Sequence, residues 1–459
     1  MKKTLLFLAF ACIAISGVRA QNIINLGVND DIKVTLAGLS GTNINVVLVI
    51  PAGYTNPQSV SVASTTTPVT YSWNSIDLSG LTNLSSTTKI TIKGDGTKPT
   101  LTFKSISLPA ALSKIAFKDL TITGAVPYSN VPGNAIDPTL NYVFNQVTGS
   151  PCAIDSISFD NCDISALRSM VRFQNSNATT AATQFANHVN INNCIVHNFA
   201  DYGVVYNGST GGFFGPVKVT KSTFYGFGAT VFMLQKNSTS IDISDCTFDN
   251  VMNVTSGKAI VDFASVPHPT TLTNCIFGKA ISGANSIIAG GATTSGVTTT
   301  GTLAITNCFT TSDWLANAPT ASISIALPSS ALTGAFTAYS GASTDLFTSV
   351  SVSSTTATPY TTTVGNYKIK AGTFAGANSA GDPRWYLNAV SAVNKVISDK
   401  GVLFNGTEIL NPNGLSLEVY NVLGKKVASS ITSISTASFQ KGVYIVRAAG
   451  LNDSLKIFI

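Results

Sequence analysis

The sequence predicts an all-β protein, a right-handed parallel β-helix (a solenoid) followed by a small C-terminal β-sandwich. Two observations support this fold class: a strand-like phrase that recurs through the first two thirds of the chain, and a separate group of alternating segments near its end. The chain has 459 residues, of which only 10% are charged, and a formal net charge of +6. This length suits a solenoid, because stacked repeats grow along one axis.

The recurring phrase alternates apolar residues, reaches an Asn-like and then a Cys-like residue, and resumes with an apolar one. Its clearest copy spans residues 157–164 and contains Asn161 and Cys162. A looser copy at residues 115–122 precedes it. The Cys-like position recurs every 24 to 33 residues, at Cys162, Cys194, Ser222, Cys246, Cys275 and Cys308. A repeat with this period indicates stacked rungs with insertions at their corners.

The phrase also predicts the shape of each rung. Alternation with period two marks a strand, and the phase slips by one residue at the Asn-like position. Asn161 therefore belongs to a corner, where Asn tolerates a left-handed backbone. Parallel rungs about 4.8 Å apart would stack like residues on like. The residues two positions before each corner should form one buried column: Phe159, Ile191, Val219, Ile243, Leu272 and Ile305.

The N-terminus has the pattern of a secretory signal peptide. Lys2 and Lys3 precede an apolar run, and Ala20 is a small residue at the expected cut site. No later segment reaches the roughly 18 apolar residues of a membrane span. We expect a signal peptide at 1–20, a β-helix with an N-terminal cap at 21–385, whose last irregular rungs occupy 311–385, a linker at 386–404 and a C-terminal domain at 405–459.

The cysteines present a choice between disulfides and free thiols. Cys12 lies in the expected signal peptide, and five of the other six fall in the repeated column. An oxidising compartment favours disulfides. Side chains in one column point the same way, however, so we favour free thiols that fill the core. A column also spreads ligands along a line, so no metal site is expected there.

The arginines are the weak candidates for catalysis. A polysaccharide lyase needs a basic residue near the substrate proton and Ca²⁺ held by clustered carboxylates, and a glycosidase needs two carboxylates. Carboxylates are sparse in the rungs, although Asp242 and Asp249 should face outward on one of them. Arg168 and Arg172 would share one strand face, where they either contact an anionic sugar or form an ordinary solvated surface. No cofactor is expected, and Ca²⁺ enters only with the lyase alternative.

Aromatic residues suggest sugar binding without cleavage. Tyr202, Tyr206 and Tyr225 lie on two neighbouring rungs, and exposed tyrosines would offer an apolar platform for sugar rings. We therefore expect a protein that binds polysaccharide without cleaving it. The alternatives are a lyase acting on acidic glycan with an atypical site, and a structural or adhesive surface protein. No basic run is dense enough to indicate nucleic acid.

The β-helix region resembles a known group of proteins. Residues 90–96 (Ile-Thr-Ile-Lys-Gly-Asp-Gly), the Asn-Cys rungs and the Gly-Asp-Pro-Arg-Trp of residues 381–385 resemble pectate-lyase-like β-helix proteins of Bacteroidetes, specifically their domains of unknown function. The resemblance covers roughly residues 40–385. It implies the fold, whereas the superfamily's activities include lyases, hydrolases, epimerases and plain binding proteins.

The C-terminal segment resembles a second group. Residues 419–427 (Val-Tyr-Asn-Val-Leu-Gly-Lys-Lys-Val) and 441–446 (Lys-Gly-Val-Tyr-Ile-Val) alternate around Gly turns, which predicts hairpins. Together they are similar to the C-terminal sorting domain of the type IX secretion system, although the family's final basic residue is here Lys456, three residues inside. The resemblance implies the type IX machinery as a partner, passage through the periplasm to the outer cell surface, removal of the domain, and release or anchoring to lipopolysaccharide.

Overall fold

A computed structural model describes most of the chain in two compact units, Met1–Leu387 and Asn388–Ile459. The described residues are 21–41, 43–55, 75–125, 141–146, 151–173, 184–207, 212–234, 238–252, 258–263, 268–280, 286–290, 301–317, 323–325, 332–350, 365–372, 374–387, 402–404, 408–411, 413–449 and 454–458. The expected signal peptide and most of the expected linker lie outside them.

Short strands make up most of the first unit. In chain order they are β1 (Asn22–Asn25), β2 (Asn45–Ile50), β3 (Ile76–Asp77), β4 (Lys89–Gly94), β5 (Thr100–Phe103), β6 (Ile106–Ser107), β7 (Ala111–Lys118), β8 (Thr121–Gly124), β9 (Tyr142–Gln146), β10 (Cys152–Asp160), β11 (Asp163–Phe173), β12 (Gln184–Asn192), β13 (Ile195–Asn207), β14 (Phe213–Phe214), β15 (Val217–Thr220), β16 (Thr223–Phe227), β17 (Phe232–Leu234), β18 (Ile241–Ser244), β19 (Thr247–Asp249), β20 (Ala259–Asp262), β21 (Thr270–Thr273), β22 (Ile276–Phe277), β23 (Ser286–Gly290), β24 (Leu303–Thr306), β25 (Cys308–Thr310), β26 (Ile323–Ile325), β27 (Leu332–Thr333), β28 (Phe336–Ala338), β29 (Phe347–Ser349) and β30 (Asn366–Ile369). The short helices are α1 (Ile32–Ala37), α2 (Ser312–Asn317) and α3 (Ser343–Leu346), and a 3-10 turn spans Pro383–Trp385.

Except for β29 and β30, which pair antiparallel with each other, these strands form three parallel stacks. The first stack runs β1-β2-β4-β7-β10-β12-β15-β18-β21-β24-β27, with β14 beside β12. The second stack runs β5-β8-β11-β13-β16-β19-β22-β25-β28, and the third runs β3-β6-β9-β11-β13-β17-β20-β23-β26. The long strands β11 and β13 contribute to both the second and the third stack. Between β4 and β26 each turn of the chain thus adds one layer to every stack, which confirms the parallel β-helix.

The predicted core column is confirmed. Phe159, Ile191, Val219, Ile243, Leu272 and Ile305 are in register on successive rungs, and none is more than 4% exposed. Aromatic rings continue the stacking, since the ring centroids of Phe117 and Phe159 lie 5.2 Å apart. Large apolar side chains in such positions typically contribute about 2–5 kcal/mol each relative to Ala.

The Asn-like residues occupy left-handed corners, as predicted. Positive φ angles between 49° and 56° occur at Asp119, Asn161, Asn193, Lys221, Asp245, Asn274 and Asn307. Their side chains form a hydrogen-bonded ladder along the corner: the Nδ2 of Asn161 donates to Asp119 Oδ1 (2.6 Å), and the Nδ2 of Asn193 donates to Asn161 Oδ1 (3.1 Å). The ladder resumes beyond Lys221, where Asn274 Nδ2 donates to Asp245 Oδ1 at 2.9 Å.

The described cysteines are free thiols in the core, as favoured from the sequence. The thiol of each Cys in the column donates to the carbonyl oxygen two residues earlier, for example Cys194 Sγ to Asn192 O at 3.2 Å. Ser222, which replaces Cys in one rung, makes the same bond through its hydroxyl to Thr220 O at 2.7 Å. Each position of the column therefore holds a small side chain that donates a hydrogen bond to the last backbone carbonyl of the strand before the corner.

A C-terminal cover corrects the expectation for the end of the β-helix. Strands β26 to β28 continue the stacks, but the described residues among 339–387, here called the cover, fold back over the outer face of the second stack. Leu346, Phe347, Tyr367, Ile369 and Phe374 of the cover form one buried cluster with the rung residues Tyr225, Ile276 and Phe309. Residues 381–385 therefore pack against earlier rungs instead of forming a closing rung, because the outward apolar side chains of those rungs require burial. We call residues 381–385 the clasp.

The second unit forms two small antiparallel sheets. Its strands are β31 (Leu403–Phe404), β32 (Glu408–Leu410), β33 (Leu417–Asn421), β34 (Lys426–Ser430), β35 (Ile434–Ser435), β36 (Val443–Ala448) and β37 (Ser454–Phe458). The sheets have the orders β31-β32-β35 and β34-β33-β36-β37 and share one core that includes Ile409, Val419 and Val446. The predicted all-β class with a C-terminal sandwich is confirmed. No helix among the described residues is long and apolar enough to cross a membrane.

Candidate functional site

Arg168 and Arg172 lie on β11, in the part of this strand that belongs to the third stack. Between them Ser169, Met170 and Val171 are buried, whereas both arginines are partly exposed. Arg172 is in register with Asn145 of β9 on one side and with Tyr206 of β13 on the other. The two arginines therefore face outward in the middle of three adjacent rungs.

Hydrogen bonds hold the two guanidinium groups on one tyrosine. The Nη1 of Arg172 donates to Tyr142 Oη (3.1 Å) and to Asn145 Oδ1 (3.2 Å), and the Nη1 of Arg168 donates to Tyr142 Oη (3.4 Å). The shared face predicted from the alternation is confirmed. We call this group the arginine cluster; it consists of Tyr142, Asn145, Arg168, Arg172 and Tyr206.

Aromatic rings flank the central guanidinium. The Cζ of Arg172 lies 5.3 Å from the ring centroid of Tyr142 and 5.7 Å from that of Tyr206. Cation–π contacts of this kind fix the orientation of the cation. Tyr142 was missed from the sequence because it precedes Arg168 by 26 residues and joins it only through the stacking of rungs.

The expected tyrosine platform is wrong for two of its three members. Tyr206 is only 7% exposed, because its ring packs beside Arg172. Tyr225 is 1% exposed: its ring stacks on His197 at 4.8 Å between centroids, and Tyr367 of the cover lies 5.4 Å away. Burial, with the nearby Asp163 carboxylate, raises the pKa of the Tyr225 phenol above its usual range. Tyr202 belongs to β13, but its side chain lies outside the described residues.

Below the cover, His197 forms an ion-pair contact with Asp163. The Nε2 of His197 lies 3.0 Å from Asp163 Oδ1. Burial raises the pKa of the Asp163 carboxyl, but the hydrogen bond and charge of His197, with Lys98 and Arg384, outweigh it, so the pKa falls below its ordinary value. This pair lies beside the covered Tyr225 and belongs to the structural contacts beneath the cover.

The expectation for the outward carboxylates is only half correct. Asp242 is exposed, whereas Asp249 is fully buried. The backbone N–H of Lys279 donates to Asp249 Oδ1 at 2.8 Å, and burial raises the pKa of the Asp249 carboxyl to about 7. Ser343 at the start of α3 covers this position, which the rung pattern alone does not reveal. Within the described ranges, no three His, Cys, Asp or Glu side chains come together as a metal-binding group.

The outward column through Arg172 contains one described carboxylate. The register continues from Arg172 to Tyr206, Met233 and Asp262. Three rung spacings place the backbone of Asp262 about 14 Å from that of Arg172. The cluster therefore places two guanidinium groups on one outer face, and guanidinium N–H groups suit an anionic partner.

Comparison with known proteins gives one match. A family model described as a domain of unknown function, DUF4957, matches residues 74–227, about a third of the chain. This stretch includes the whole arginine cluster and excludes the C-terminal unit. No curated protein and no solved structure matches the chain.

Proposed function

We propose that this is an exported surface protein whose β-helix binds an acidic polysaccharide at the arginine cluster without cleaving it. The observation that supports this function best is the pair of guanidinium groups held on one outer face by Tyr142. In this proposal the β-helix belongs to the wider group of pectate-lyase-like β-helices. A β-helix offers a long, regular outer face, which suits a repeating polymer.

The preorganisation of Arg172 favours binding. Its stem is partly buried and its guanidinium is positioned by Tyr142, Asn145 and Tyr206, so little side-chain entropy remains to be lost. Guanidinium groups match carboxylate and sulfate groups through paired N–H donors. Tyr142 and Tyr206 are each only 7% exposed, so they position the guanidinium of Arg172 rather than offer a face to a sugar ring.

The same geometry favours binding over cleavage. A guanidinium keeps its proton at any ordinary pH, so Arg168 and Arg172 are poor general bases without a special environment. Each donates a hydrogen bond to the Tyr142 hydroxyl oxygen. The carboxylate on the same column, Asp262, is about three rungs away, too far to act together with Arg172 on one glycosidic bond.

Binding to immobilised uronate-containing, sulfated and neutral polysaccharides tests this function. We expect weak, salt-sensitive binding to the acidic polymers that is unchanged by EDTA and about tenfold weaker in Arg172→Ala. Tyr206→Ala should also weaken it, because the guanidinium loses one ring contact. Lys218→Ala is the matched control, since Lys218 is an exposed cation on β15 of the first stack, away from the cluster.

The absorbance of unsaturated sugars is followed in the same samples. Calcium-dependent release of such products, abolished by Arg168→Ala or Arg172→Ala, would replace this proposal with a lyase. Equal binding by the Arg172→Ala protein and the unchanged protein would instead favour a structural or adhesive role.

We further propose that residues 1–20 are a signal peptide and that the C-terminal unit is a type IX sorting domain. Residues 419–427 fall on the β33–β34 hairpin and residues 441–446 on the start of β36, and the unit has its own core. A separate core supports a detachable signal. The protein would then pass through the periplasm to the outer surface, with release or attachment to lipopolysaccharide.

A further inference from the structure

The hairpin turn of the C-terminal unit presents the two most exposed large apolar side chains among the described residues. Val422 is 71% exposed and Leu423 is 87% exposed, at the turn between β33 and β34. Neither side chain contributes to the core of its own unit. An exposed apolar pair at a projecting turn requires an explanation outside the folded unit.

Hydrogen bonds fix the shape of this turn. The Oδ1 of Asn421 accepts from the backbone N–H groups of Leu423 (3.1 Å) and Lys425 (3.0 Å). The N–H of Gly424 donates to Asn421 O at 2.9 Å, and its φ of 76° is one that glycine adopts without strain. The apolar pair is therefore displayed in a set geometry, so a partner would not have to order it.

Lysines surround the turn. Lys425 and Lys426 follow it directly, and Lys441 lies at the same end of the sheet, because Asn421 pairs with Tyr444. All three are exposed, and residues 419–427 and 436–446 contain no Asp or Glu. Glu418, further along β33, contacts the Nζ of Lys426 at 3.0 Å and accepts a hydrogen bond from Tyr420 Oη. This end of the unit is thus apolar at its tip and cationic around it.

We propose that this tip, formed by Val422, Leu423, Lys425, Lys426 and Lys441, docks the protein onto an anionic lipid bilayer. Val422 and Leu423 enter the interface between headgroups and acyl chains, and the lysines contact the lipid phosphates. Two side chains offer far less area than the roughly 1,200 Å² that a stable protein interface buries, which favours a membrane over a second copy or a protein partner. The proposal does not depend on polysaccharide binding.

Cosedimentation of the full chain with vesicles tests the docking. We expect binding to phosphatidylcholine vesicles that contain phosphatidylglycerol, and about tenfold weaker binding to vesicles of phosphatidylcholine alone. The double variant Val422→Ser with Leu423→Ser should bind the anionic vesicles about tenfold more weakly. In the double variant Lys425→Gln with Lys441→Gln, binding to these vesicles should depend less on the salt concentration. Ile431→Ser is the matched control, because Ile431 is 66% exposed and lies at the other end of β34.

A fluorescent reporter separates tip insertion from general attraction to anionic lipids. The tryptophan introduced by Leu423→Trp should shift its emission to the blue on vesicle binding and be quenched by brominated acyl chains. The tryptophan introduced by Ile431→Trp should show neither change. Unaltered binding in the Val422→Ser and Leu423→Ser variant, or equal blue shifts at both positions, would overturn the proposal. The proposal would also be overturned if the unchanged protein self-associates without binding vesicles and the double variant no longer self-associates. The tip would then belong to an interface with a second copy.

Discussion

At the scale of single residues, the corner asparagines have two functions in the fold. Each adopts a left-handed backbone that costs other L-residues about 1–2 kcal/mol, and each continues a ladder of amide hydrogen bonds from rung to rung. Both properties follow from the Asn-like position in the sequence. The corner was predictable because the same phase slip recurs at the Asn-like position of each copy, which marks a change of strand direction there.

Lys221 interrupts this ladder, and the chain compensates from a distant segment. Since Lys221 has no side-chain amide to donate to Asn193 Oδ1, the Nη2 of Arg384 donates to that oxygen instead, at 2.9 Å. The same nitrogen also donates to Lys221 O at 3.2 Å. This contact could not be predicted from the sequence, because it joins residues 191 positions apart.

Substitutions of Asn161 separate the two functions of the corner. Asn161→Ala should lower the free energy of unfolding by roughly 2–4 kcal/mol, through backbone strain and two lost ladder bonds. Asn161→Gly should cost about 1–2 kcal/mol less, because glycine removes the strain but not the lost bonds. Urea unfolding followed by circular dichroism gives both values. Equal losses in the two variants would contradict a strained corner.

At the scale of elements, the strands were predictable but the cover was not. Alternation within one rung defines each strand locally, whereas the cover depends on which outer face is left apolar. A signal did exist: Ile195, Ile276 and Phe309 directly follow the corner cysteines at positions that should face solvent. Three apolar residues in one outward column indicate a covered face, which also explains why Tyr225 is buried there.

An ion pair within the cover, between Asp382 and Arg384, also forms hydrogen bonds to the rungs. Asp382 Oδ2 lies 2.8 Å from Arg384 Nε and accepts from Thr223 Oγ1 at 2.8 Å, while the indole N–H of Trp385 donates to Thr223 Oγ1 at 2.7 Å. Burial raises the pKa of the Asp382 carboxyl to about 6, although Arg384 opposes this shift. The folded-state pKa thus lies above the unfolded value of about 4, so the protonated acid favours the folded state.

The clasp predicts a pH-dependent stability. The contribution of Asp382 is fully present below about pH 4 and is lost as the pH rises through about 6. Arg384→Ala should destabilise the protein by about 3–5 kcal/mol at pH 8, because it leaves a buried carboxylate unpaired, and by less at pH 5. Adding Asp382→Asn should recover much of that loss and flatten the pH profile. Thermal unfolding between pH 5 and 8 measures this, and a loss from Arg384→Ala that is independent of pH would exclude the mechanism.

At the scale of the whole molecule, the β-helix and its C-terminal sandwich have separate cores. The phrase that repeats through residues 115–310 predicted the first core, and paired alternating segments around Gly turns predicted the second. The arginine cluster was only partly predictable. Arg168 and Arg172 share a face by alternation alone, but Tyr142 and Asn145 join them through rung stacking, and the insertions that set the rung length have no fixed size.

Deletion of residues 388–459 tests the division of roles between the two units. The β-helix should remain folded, because its core contains no residue of the sandwich and its cover ends at residue 387. Thermal unfolding of the purified truncated protein should therefore remain cooperative, with a midpoint close to that of the full chain.

In cells, the truncated protein should accumulate in the periplasm if the sandwich is a sorting domain, whereas the full chain reaches the surface. Lys218→Ala is the control, since Lys218 is an exposed residue of β15 and the change leaves the sandwich intact. Surface delivery of the truncated protein at the level of the full chain would refute the sorting role and leave the sandwich as an accessory domain.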